Sequence, residues 1–449
     1  MDRIIPRFLH TLANACPAPV YVVGGSVRDF IGGYTRKTGK YDWDICSTIP
    51  VEIFTELAKA HGFLIKSVYK NTGTVKLQDT DGVEYEYSRF RSDKYVRGVH
   101  TPVEICFTDD ITLDARRRDF TANAVYYDMQ ARQFVDPLNG IPAILEKRLT
   151  TVAPAKKVFG EDGLRLMRLA RFGAELGFTP DTDCLLGARE NAKLINDITP
   201  ERVFAELRAI LYADKKYGVE NGAYLGLRLL STTGVLDEIL PELTLGRDMM
   251  QRADFHKYDV LEHSLRAVLY ADERVRFACL LHDIGKPFCR LRDGNSHEHP
   301  KEGAPIAREI LTRLKAPKKL IQSVESLVLW HMYDFNCQTS ENKLRRFFAT
   351  HYEILDDLLL VKQADFSACT DDLSIAPTVK KWKALLQKMK NERAPLTVKE
   401  LAVNGKELQT LGIAPCKIGD VLHKLLLHAV VNPRDNEKEK LLRLAVTMH

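Results

Sequence analysis

The sequence lacks any apolar run that approaches the roughly 20 residues needed to span a bilayer. Its nine cysteines are scattered singly, without a C-x-x-C pair, and it has no secretory start. These absences argue against a membrane helix, a disulfide framework and a zinc ribbon. We therefore expect a cytoplasmic protein with reduced thiols and no membrane partner.

An excess of charge of one sign is also missing, since 65 basic residues face 60 acidic ones and the net charge is only +5. RNA binding, if it occurs, must therefore come from local basic patches. The chain has no low-complexity linker and no internal repeat. Its 449 residues exceed a single hydrophobic core and predict three or four domains, and 45% hydrophobic and 28% charged residues are ordinary for a globular protein.

The first distinctive stretch joins the apolar run Tyr21–Val23 to a glycine pair, Gly24 and Gly25. The run predicts a buried strand that the glycines end sharply, and Ser26 is placed to cap a helix that carries Arg28. Glycines let a backbone approach a phosphate, a helix N-terminus offers free N–H groups, and arginine adds a fork of donors. The pattern predicts a phosphate-binding turn, and the alternative is a simple turn.

Two carboxylates follow in the run Asp42-Trp43-Asp44-Ile45. Residues two apart on a strand face the same way, so both carboxylates would project to one side. Mg²⁺ prefers one or two carboxylates together with phosphate oxygens, which is what nucleotide transfer requires. The alternative is the solvent-facing side of an edge strand.

The ordered combination of these two motifs resembles the DNA polymerase β nucleotidyltransferase superfamily. The form Val-Gly-Gly-x-Val-Arg-Asp is similar to the branch that contains tRNA CCA-adding enzymes and bacterial poly(A) polymerases. The resemblance implies that the glycine pair and Arg28 hold a triphosphate, and that Asp42 and Asp44 hold two Mg²⁺ ions.

A third acid often comes from a neighbouring strand in this superfamily, and Glu86 lies in an alternating run at residues 83–87. Glu86 is therefore a candidate catalytic carboxylate, and the alternative is a surface glutamate opposite a lysine. Residues 92–100 are polar and basic without periodicity, which predicts a mobile loop beside the active site. Relatives that add only the two cytidines are understood to lack a full loop here.

Three adjacent arginines lie in residues 114–124, with an acid on either side. A solvated charge run is one interpretation, but the apolar segment after Phe120 would hold the arginines in place. Fixed arginines suit triphosphate and ribose recognition. The string resembles the family motif Arg-Arg-Asp-Phe-Thr-x-Asn-Ala, which implies that Arg118 binds the nucleotide and that Asp119 and Asn123 shape the ribose pocket.

From Phe159 the pattern is helical, and Asp162, Arg165, Arg168 and Arg171 recur every three residues. An ordinary amphipathic helix with an Asp–Arg pair is one reading. The other is chemical, because a carboxylate beside a guanidinium can pair with the amino and ring-acceptor groups of cytosine and adenine. Uracil and guanine would place a carbonyl against the carboxylate.

The same string resembles the Glu-Asp-x-x-Arg template of class II CCA-adding enzymes, which select CTP and ATP with side chains alone. By that resemblance Asp162 and Arg165 read the base, and Arg168 and Arg171 contact ATP or its phosphates. The segment at residues 199–207 matches the next family motif, in which Glu201 and Arg202 open a helix that supports the pocket.

A second constellation of histidines and aspartates follows on predicted helices, where such residues can form a first-row metal site. The apolar lead-in to His282-Asp283 and the Gly-Lys exit resemble the HD phosphohydrolase superfamily. The resemblance implies a Mn²⁺ or Ni²⁺ site and a phosphodiesterase or phosphatase acting on damaged 3′ ends, and the alternative is an HD fold without activity. The candidate ligands are His263, His282, Asp283, His299, His331 and Asp365.

The last hundred residues are helical in pattern and rich in lysine, and they resemble the tail of long bacterial CCA-adding enzymes. Lys406 and Lys417 are candidates for contacts with tRNA phosphates, or else merely solvated lysines.

These patterns predict an α+β protein: a polymerase-β-like head with a small mixed sheet, followed by a helical neck, an HD-type body and a helical tail. We expect the head at residues 1–148, the neck at 149–245, the HD domain at 246–370 and the tRNA-binding tail at 371–449. The expected reaction is template-independent addition of CCA to tRNA from CTP and ATP, with two Mg²⁺ ions and no obligatory protein partner.

Three alternatives remain open at this point. An enzyme that adds only the final A would look nearly identical. A poly(A) polymerase would share the head, although the basic Gly-Arg-Arg-Phe stretch expected after the two aspartates is not found. An HD phosphohydrolase with an inactive RNA-binding head is the third, and the intact Asp42 and Asp44 argue against it.

Overall fold

The computed structural model describes residues 1–37, 39, 41–95 and 102–448. They form two compact units, Met1–Thr244 and Leu245–His449. Within the described ranges, the strands lie in the first unit and the second is built from helices. The expected α+β class, with a small sheet head and a helical body, is confirmed.

The strands of the first unit are short. They are β1 (Tyr21–Val23), β2 (Trp43–Ser47), β3 (Leu64–Tyr69), β4 (Thr74–Gln78), β5 (Glu84–Arg89), β6 (Arg91–Lys94), β7 (Glu104–Phe107), β8 (Tyr126–Asp128), β9 (Gln133–Val135), β10 (Arg148–Leu149) and β11 (Thr179–Pro180).

One mixed sheet has the order β3-β4-β5-β2-β1-β8-β9, in which only β2 and β5 run parallel. Strands β6 and β7 form a separate antiparallel pair, and β10 pairs in parallel with β11. In the register of the mixed sheet, Asp44 lies between Val23 of β1 and Glu86 of β5. The other residues of β2 are buried, as expected for a central strand, and Asp44 is half-buried.

The helices of the first unit begin before the sheet and continue beyond it. They are α1 (Arg7–Ala15), α2 (Gly25–Gly32), α3 (Val51–Ala60), α4 (Ile111–Arg116), α5 (Gly140–Leu145), α6 (Ala155–Glu161), α7 (Leu164–Leu176), α8 (Thr182–Asn191), α9 (Pro200–Leu211), α10 (Asp214–Tyr217), α11 (Gly222–Thr232), α12 (Val235–Ile239) and α13 (Pro241–Thr244).

The helices of the second unit pack as a bundle of their own. They are α14 (Val260–Tyr270), α15 (Arg276–Leu281), α16 (Lys286–Asp293), α17 (His299–Arg313), α18 (Lys318–Trp330), α19 (Glu341–Thr350), α20 (Tyr352–Thr370), α21 (Pro377–Asn391), α22 (Gly405–Thr410), α23 (Pro415–Ala429) and α24 (Lys438–Met448). None of the helices in the described ranges combines the length and the hydropathy of a membrane span.

The structure corrects two local expectations about the first motif. Helix α2 begins at Gly25 with Gly24 as its N-cap, and Ser26 does not cap it, because the Ser26 hydroxyl donates instead to the carbonyl oxygen of Asp42 at 2.6 Å. Strand β2 begins at Trp43, so Asp42 precedes the strand and does not lie on it beside Asp44.

Two longer segments also differ from the expectation. The helix expected to run on from Phe159 is broken, because Asp162 has extended dihedrals and α7 starts only at Leu164. A Cβ on Gly163 would lie 2.4 Å from the carbonyl oxygen of Leu194, so only glycine fits this close approach. In the predicted loop at residues 92–100, residues 92–94 belong to β6 and residues 96–100 lie outside the described residues.

Candidate active site and a second cluster of metal ligands

A cavity of about 440 Å³ in the first unit brings together most of the residues that the motifs predicted. It is bounded by the glycine turn, the two aspartates, the arginine-rich segment and the start of α7. The predicted residues that line it are Gly24, Gly25, Arg28, Asp42, Asp44, Arg118, Asp119, Asn123, Asp162, Arg165, Arg168 and Arg171.

The glycine turn brings the backbone against a carboxylate. Gly24 has φ +80° and ψ −140°, in a region that favours glycine. A Cβ at Gly24 would lie 3.1 Å from Oδ2 of Asp44. The Ser26 hydroxyl bond to the Asp42 backbone ties the first turn of α2 to the other aspartate. The turn, the helix and both carboxylates therefore form one local structure.

The carboxylates of the head repel one another. Burial raises the pKa of Asp44; Arg118 opposes this, Glu86 and Asp42 add to it, and the result is about 6. Oδ2 of Asp42 accepts a bond from Arg36 at 2.8 Å, while its side chain remains 79% exposed. Glu86 pairs with Lys76 at 3.6 Å and lines a neighbouring groove together with Asp42 and Asp44.

Clustered carboxylates of this kind fit a divalent cation. Three acids come together at the start of β2. Burial raises the pKa of Asp44 most, Glu86 and Asp42 add to it, and a bound cation would offset both effects. Oxygen ligands are the set that Mg²⁺ prefers. The lysine partner expected in the alternative reading of Glu86 is present as well, so Glu86 has both kinds of neighbour.

Arg28 lines the cavity, and its buried side chain also holds several neighbouring residues in place. Its side chain donates to Asp29 twice, to Asn123 at 2.8 Å and to the Tyr217 hydroxyl at 2.9 Å. These bonds use four of the five guanidinium N–H groups, so Arg28 holds Asn123 and Tyr217 close to the glycine turn.

The arginine-rich segment is held by one buried acid. Asp114 accepts from Arg117 at 2.7 Å and from Arg118 at 3.1 Å, and the Tyr126 hydroxyl donates to it at 2.8 Å. Burial would raise the pKa of Asp114, but Arg118 and Arg117 lower it. Arg117 and Arg118 are therefore fixed along the cavity wall, as the fixed-arginine interpretation requires, while Arg116 is exposed and does not line the cavity.

Asp119 connects the arginine-rich segment to α7, which carries Arg168. One of its oxygens accepts from the Phe120 backbone and from Asn123, and the other is contacted by Nε and an Nη of Arg168 at 2.7 and 2.6 Å. Burial would raise its pKa, but Arg168, Asn123 and Phe120 lower it to about 2. Asp119 therefore stays ionised and orients both Asn123 and Arg168.

The two residues expected to read the base lie at the start of α7. Asp162 accepts the backbone N–H of Leu164 at 3.0 Å through Oδ1. Arg165 is buried and donates to Glu161 at 2.9 Å, to Val158 O at 3.0 Å and to Arg117 O at 2.7 Å. The carboxylate paired with Arg165 is thus Glu161, and Asp162 lines the cavity separately.

Several residues that line the cavity were not predicted from the sequence: Arg36, Arg117, Leu164, Phe172 and Lys216. The Phe172 ring lies 5.5, 5.1 and 4.5 Å from the guanidinium carbons of Arg28, Arg168 and Arg171. Arg202, which was expected only to support the pocket, also lines it. The one sequence signal for Phe172 was the arginine spacing on α7, because Arg168 and Arg171, which contact its ring, are close to it in sequence.

The second cluster of candidate ligands lies in the helical unit and is buried. His263 Nε2 is 3.1 Å from His282 Nε2 and 3.1 Å from Asp365 Oδ1. His299 Nε2 is 3.2 Å from both His331 Nε2 and Asp283 Oδ1. The other oxygen of Asp283 lies 3.4 Å from His263 and 3.3 Å from His282, so this aspartate spans the two halves.

The tautomers of three of these histidines suit metal binding. Nδ1 of His282, His299 and His331 each lies 2.7 Å from a backbone carbonyl, which can only accept, so Nδ1 carries the proton. The Nε2 lone pairs then point to the centre, which is the arrangement of metal-ligating histidines. Burial would raise the pKa of Asp283, but His282 and Lys286 lower it. The donor set therefore fits a first-row metal.

The two tail lysines predicted to contact RNA are exposed on helices of the second unit. Lys406 lies in the first turn of α22 and Lys417 in the first turn of α23.

Three family models match the chain. They are the Poly A polymerase head domain at residues 20–150, the probable RNA and SrmB- binding site of polymerase A at residues 177–245, and the HD domain at residues 256–365.

Curated relatives are similar over most of the chain. The A-adding tRNA nucleotidyltransferase of Deinococcus radiodurans is 30% identical over 91% of this chain and 91% of its own. A multifunctional CCA protein of Stenotrophomonas maltophilia is 30% identical over 70% of this chain and 75% of its own.

Solved structures share the fold. The CCA-adding enzyme of Bacillus stearothermophilus in complex with CTP has a TM-score of 0.65 at 23% identity, covering 99% of this chain and 98% of that one. The Thermotoga maritima CCA-adding enzyme complexed with tRNA has a TM-score of 0.62 at 19% identity, covering 99% and 96%.

Proposed function

We propose that this chain adds CCA to the 3′ end of tRNA from CTP and ATP and releases pyrophosphate. The chain belongs to the poly(A) polymerase/tRNA nucleotidyltransferase family with an HD domain, and it is a nucleotidyltransferase. The proposed partners are tRNA, CTP and ATP, and the proposed location is the cytoplasm. The domains we propose are the head at residues 1–148, the neck at 149–245, the HD domain at 246–370 and the tail at 371–449.

The observation that carries the proposal is one cavity in the first unit. Its walls combine the glycine turn, two carboxylates and several fixed arginines with Asp162 at the start of α7. Such a cavity suits a polyanionic nucleotide whose reacting phosphate lies beside Asp42 and Asp44.

The residues around the cavity would have two roles, binding of the triphosphate and binding of Mg²⁺. Gly24 and Gly25 offer backbone approach to the triphosphate, while Arg118 and Arg171 supply positive charge. Asp42 and Asp44, with Glu86 nearby, would hold Mg²⁺. When bound, two Mg²⁺ ions would activate the ribose 3′-hydroxyl of the tRNA and stabilise the leaving pyrophosphate.

Base selection would come from side chains, without a nucleic-acid template. Asp162 accepts one backbone bond through Oδ1, and its second oxygen can accept the amino group of cytosine or adenine. Arg165 reads the ring if its bonds to Glu161 and to backbone carbonyls leave an N–H for the base. Arg168, held by Asp119, lies at the same wall and would contact ATP.

Two further specificities are compatible with this cavity, and one assay separates them. Purified protein is incubated with Mg²⁺, labelled CTP or ATP, and tRNAs truncated by one or three nucleotides. A CCA-adding enzyme extends both tRNAs, whereas an A-adding enzyme extends only the tRNA that lacks the final A. A poly(A) polymerase produces long tails. An absence of incorporation would contradict the proposal.

A second activity is favoured by the buried histidine cluster, which fits Mn²⁺ or Ni²⁺. We propose phosphohydrolysis of 3′ ends, such as 2′,3′-cyclic phosphates, with His263, His282, Asp283, His299, His331 and Asp365 as ligands. The test is Mn²⁺- or Ni²⁺-dependent hydrolysis of an aryl phosphodiester that Asp283→Ala abolishes. The same variant should retain nucleotide incorporation, which also tests the alternative of an inactive head.

A further inference from the structure

Arg36 lies between the candidate metal carboxylates and the glycine turn at Gly24 and Gly25, which we call the phosphate cradle. Its Nε donates to Asp29 Oδ2 at 2.7 Å, and one terminal nitrogen donates to Asp42 Oδ2 at 2.8 Å. The Arg36 side chain is only 4% exposed, and its guanidinium carbon lies 5.3 Å from the Tyr41 ring centre. Arg36 is therefore held from several sides and bonded directly to a candidate Mg²⁺ ligand.

The other terminal nitrogen of Arg36 faces the glycine turn. A Cβ on Gly25 would lie 3.0 Å from this nitrogen and 3.5 Å from a terminal nitrogen of Arg28. Gly25 is the first residue of α2, where backbone N–H groups are available to a phosphate. One guanidinium thus borders both the phosphate cradle and the carboxylate of Asp42.

The two ion pairs of Arg36 differ in burial, which makes one a fixed anchor and the other exchangeable. Asp29 is fully buried and also bound by Arg28 and Tyr217, so it holds Arg36 firmly. The Asp42 side chain is 79% exposed, and an ion pair with an exposed partner is weak and readily replaced. A cation that binds Asp42 Oδ2 must compete with Arg36, and a triphosphate in the cradle offers Arg36 a new acceptor.

We propose that Arg36 couples nucleotide binding to metal binding: it holds Asp42 until a triphosphate enters the cradle, and its donors then pass to the phosphate and release the carboxylate to Mg²⁺. The inference rests on the proposed role of the head in nucleotide transfer. Because coupling between two ligands is reciprocal, nucleotide should strengthen Mg²⁺ binding by the same factor as Mg²⁺ strengthens nucleotide binding, and both effects act through Arg36.

The test measures both affinities separately in the full chain. Mn²⁺ binding is followed by electron paramagnetic resonance without nucleotide, in an Asp283→Asn background that weakens the histidine cluster. Arg36→Met should bind Mn²⁺ about fivefold more tightly than the parent, because the competing ion pair is gone. In EDTA, the same variant should bind α,β-methylene CTP about tenfold more weakly, because a charge-assisted donor to phosphate is lost.

Three controls make the outcome decisive. Arg345→Met removes an arginine of equal exposure, 4%, that pairs with Glu341 and Glu392 in the other unit, and should leave both affinities unchanged. Asp42→Asn should weaken Mn²⁺ binding, and adding Arg36→Met to it should restore nothing. Thermal denaturation verifies folding, and Arg36→Lys, expected to fall between the parent and Arg36→Met, carries the test if the methionine variant does not fold.

The results separate two failures. If Asp42→Asn leaves Mn²⁺ binding unchanged, the proposed metal site of the head is wrong, and the inference falls with it. If Asp42→Asn weakens binding but the Arg36 variants bind Mn²⁺ no more tightly, only the inference is overturned. A gain in affinity that persists in the Asp42→Asn background would also overturn it, because the effect would not act through this carboxylate.

Discussion

Replacing Asp44 with asparagine should stabilise the protein while abolishing nucleotide transfer. The pKa of Asp44 is raised to about 6 by burial and by Glu86 and Asp42, against an ordinary value of 3.8. An acid whose pKa is raised by folding destabilises the folded state once it ionises. The penalty is absent below the unfolded pKa, grows as the pH rises towards 6, and is complete above it.

The size of the effect follows from the shift. About two pH units at roughly 1.36 kcal/mol each correspond to an upper bound of about 3 kcal/mol. Thermal unfolding in EDTA should therefore show Asp44→Asn with a Tm higher by several degrees, and at most by about 12 °C, at about pH 8. The difference should shrink as the pH falls and vanish below about pH 4. An asparagine of the same shape retains the packing but not the charge.

The control is Asp42→Asn. This side chain is 79% exposed and the substitution removes the charge of its ion pair with Arg36, so it should gain no comparable stability. Both variants should lose CTP and ATP incorporation. The reasoning is refuted if Asp44→Asn is no more stable than the parent near pH 8, or if its advantage does not depend on pH.

Three further predictions address other parts of the molecule. Gly24→Ala should lower incorporation at least about 100-fold while tRNA binding stays normal. The new Cβ would lie 3.1 Å from Oδ2 of Asp44, in a residue with φ +80°, and would misplace this carboxylate. A near-normal rate would contradict this. Arg168→Met should destabilise the protein by about 3 kcal/mol in urea unfolding, because Asp119 is left buried without its cation, and Asp119→Asn in the same chain should restore part of the loss. Lys362→Met should weaken Ni²⁺ binding in calorimetry without changing incorporation, because the buried Lys362 donates to the backbone carbonyls of His331 and Tyr333 at 2.6 Å; unchanged Ni²⁺ affinity would show that these bonds do not position His331.

Residues in fixed local patterns were predictable from the sequence. The strand–Gly-Gly–helix turn, the Asp-x-Asp run and the arginine string each report chemistry through near neighbours, and the structure brings them to one cavity. The candidate histidine ligands were found in the same way, because His282-Asp283 marks the cluster and the other histidines lie before and after it in the sequence.

Details set by contacts between distant segments were not predictable. The helix breaks at Asp162 and Gly163, where Gly163 lies too close to the carbonyl of Leu194 for a side chain, and no local pattern indicates this contact. Ser26 bonds to Asp42 instead of capping its helix, because the carbonyl beside it belongs to a residue 16 positions further along the chain. Arg36 was missed for the same reason, since its role depends on Asp29, Asp42 and the glycine turn meeting in space.

The preference for CTP over UTP tests the central claim most directly. If side chains beside the acidic site select the base, the preference must depend on Asp162. The ratio of kcat/KM for the two nucleotides is measured on a tRNA that lacks CCA. Asp162→Asn should reduce this preference at least about tenfold, because the amide can also donate to the uracil carbonyl, whereas Asp42→Asn should lower both rates equally. An undiminished preference in Asp162→Asn, or full activity in Asp42→Asn, would contradict the account.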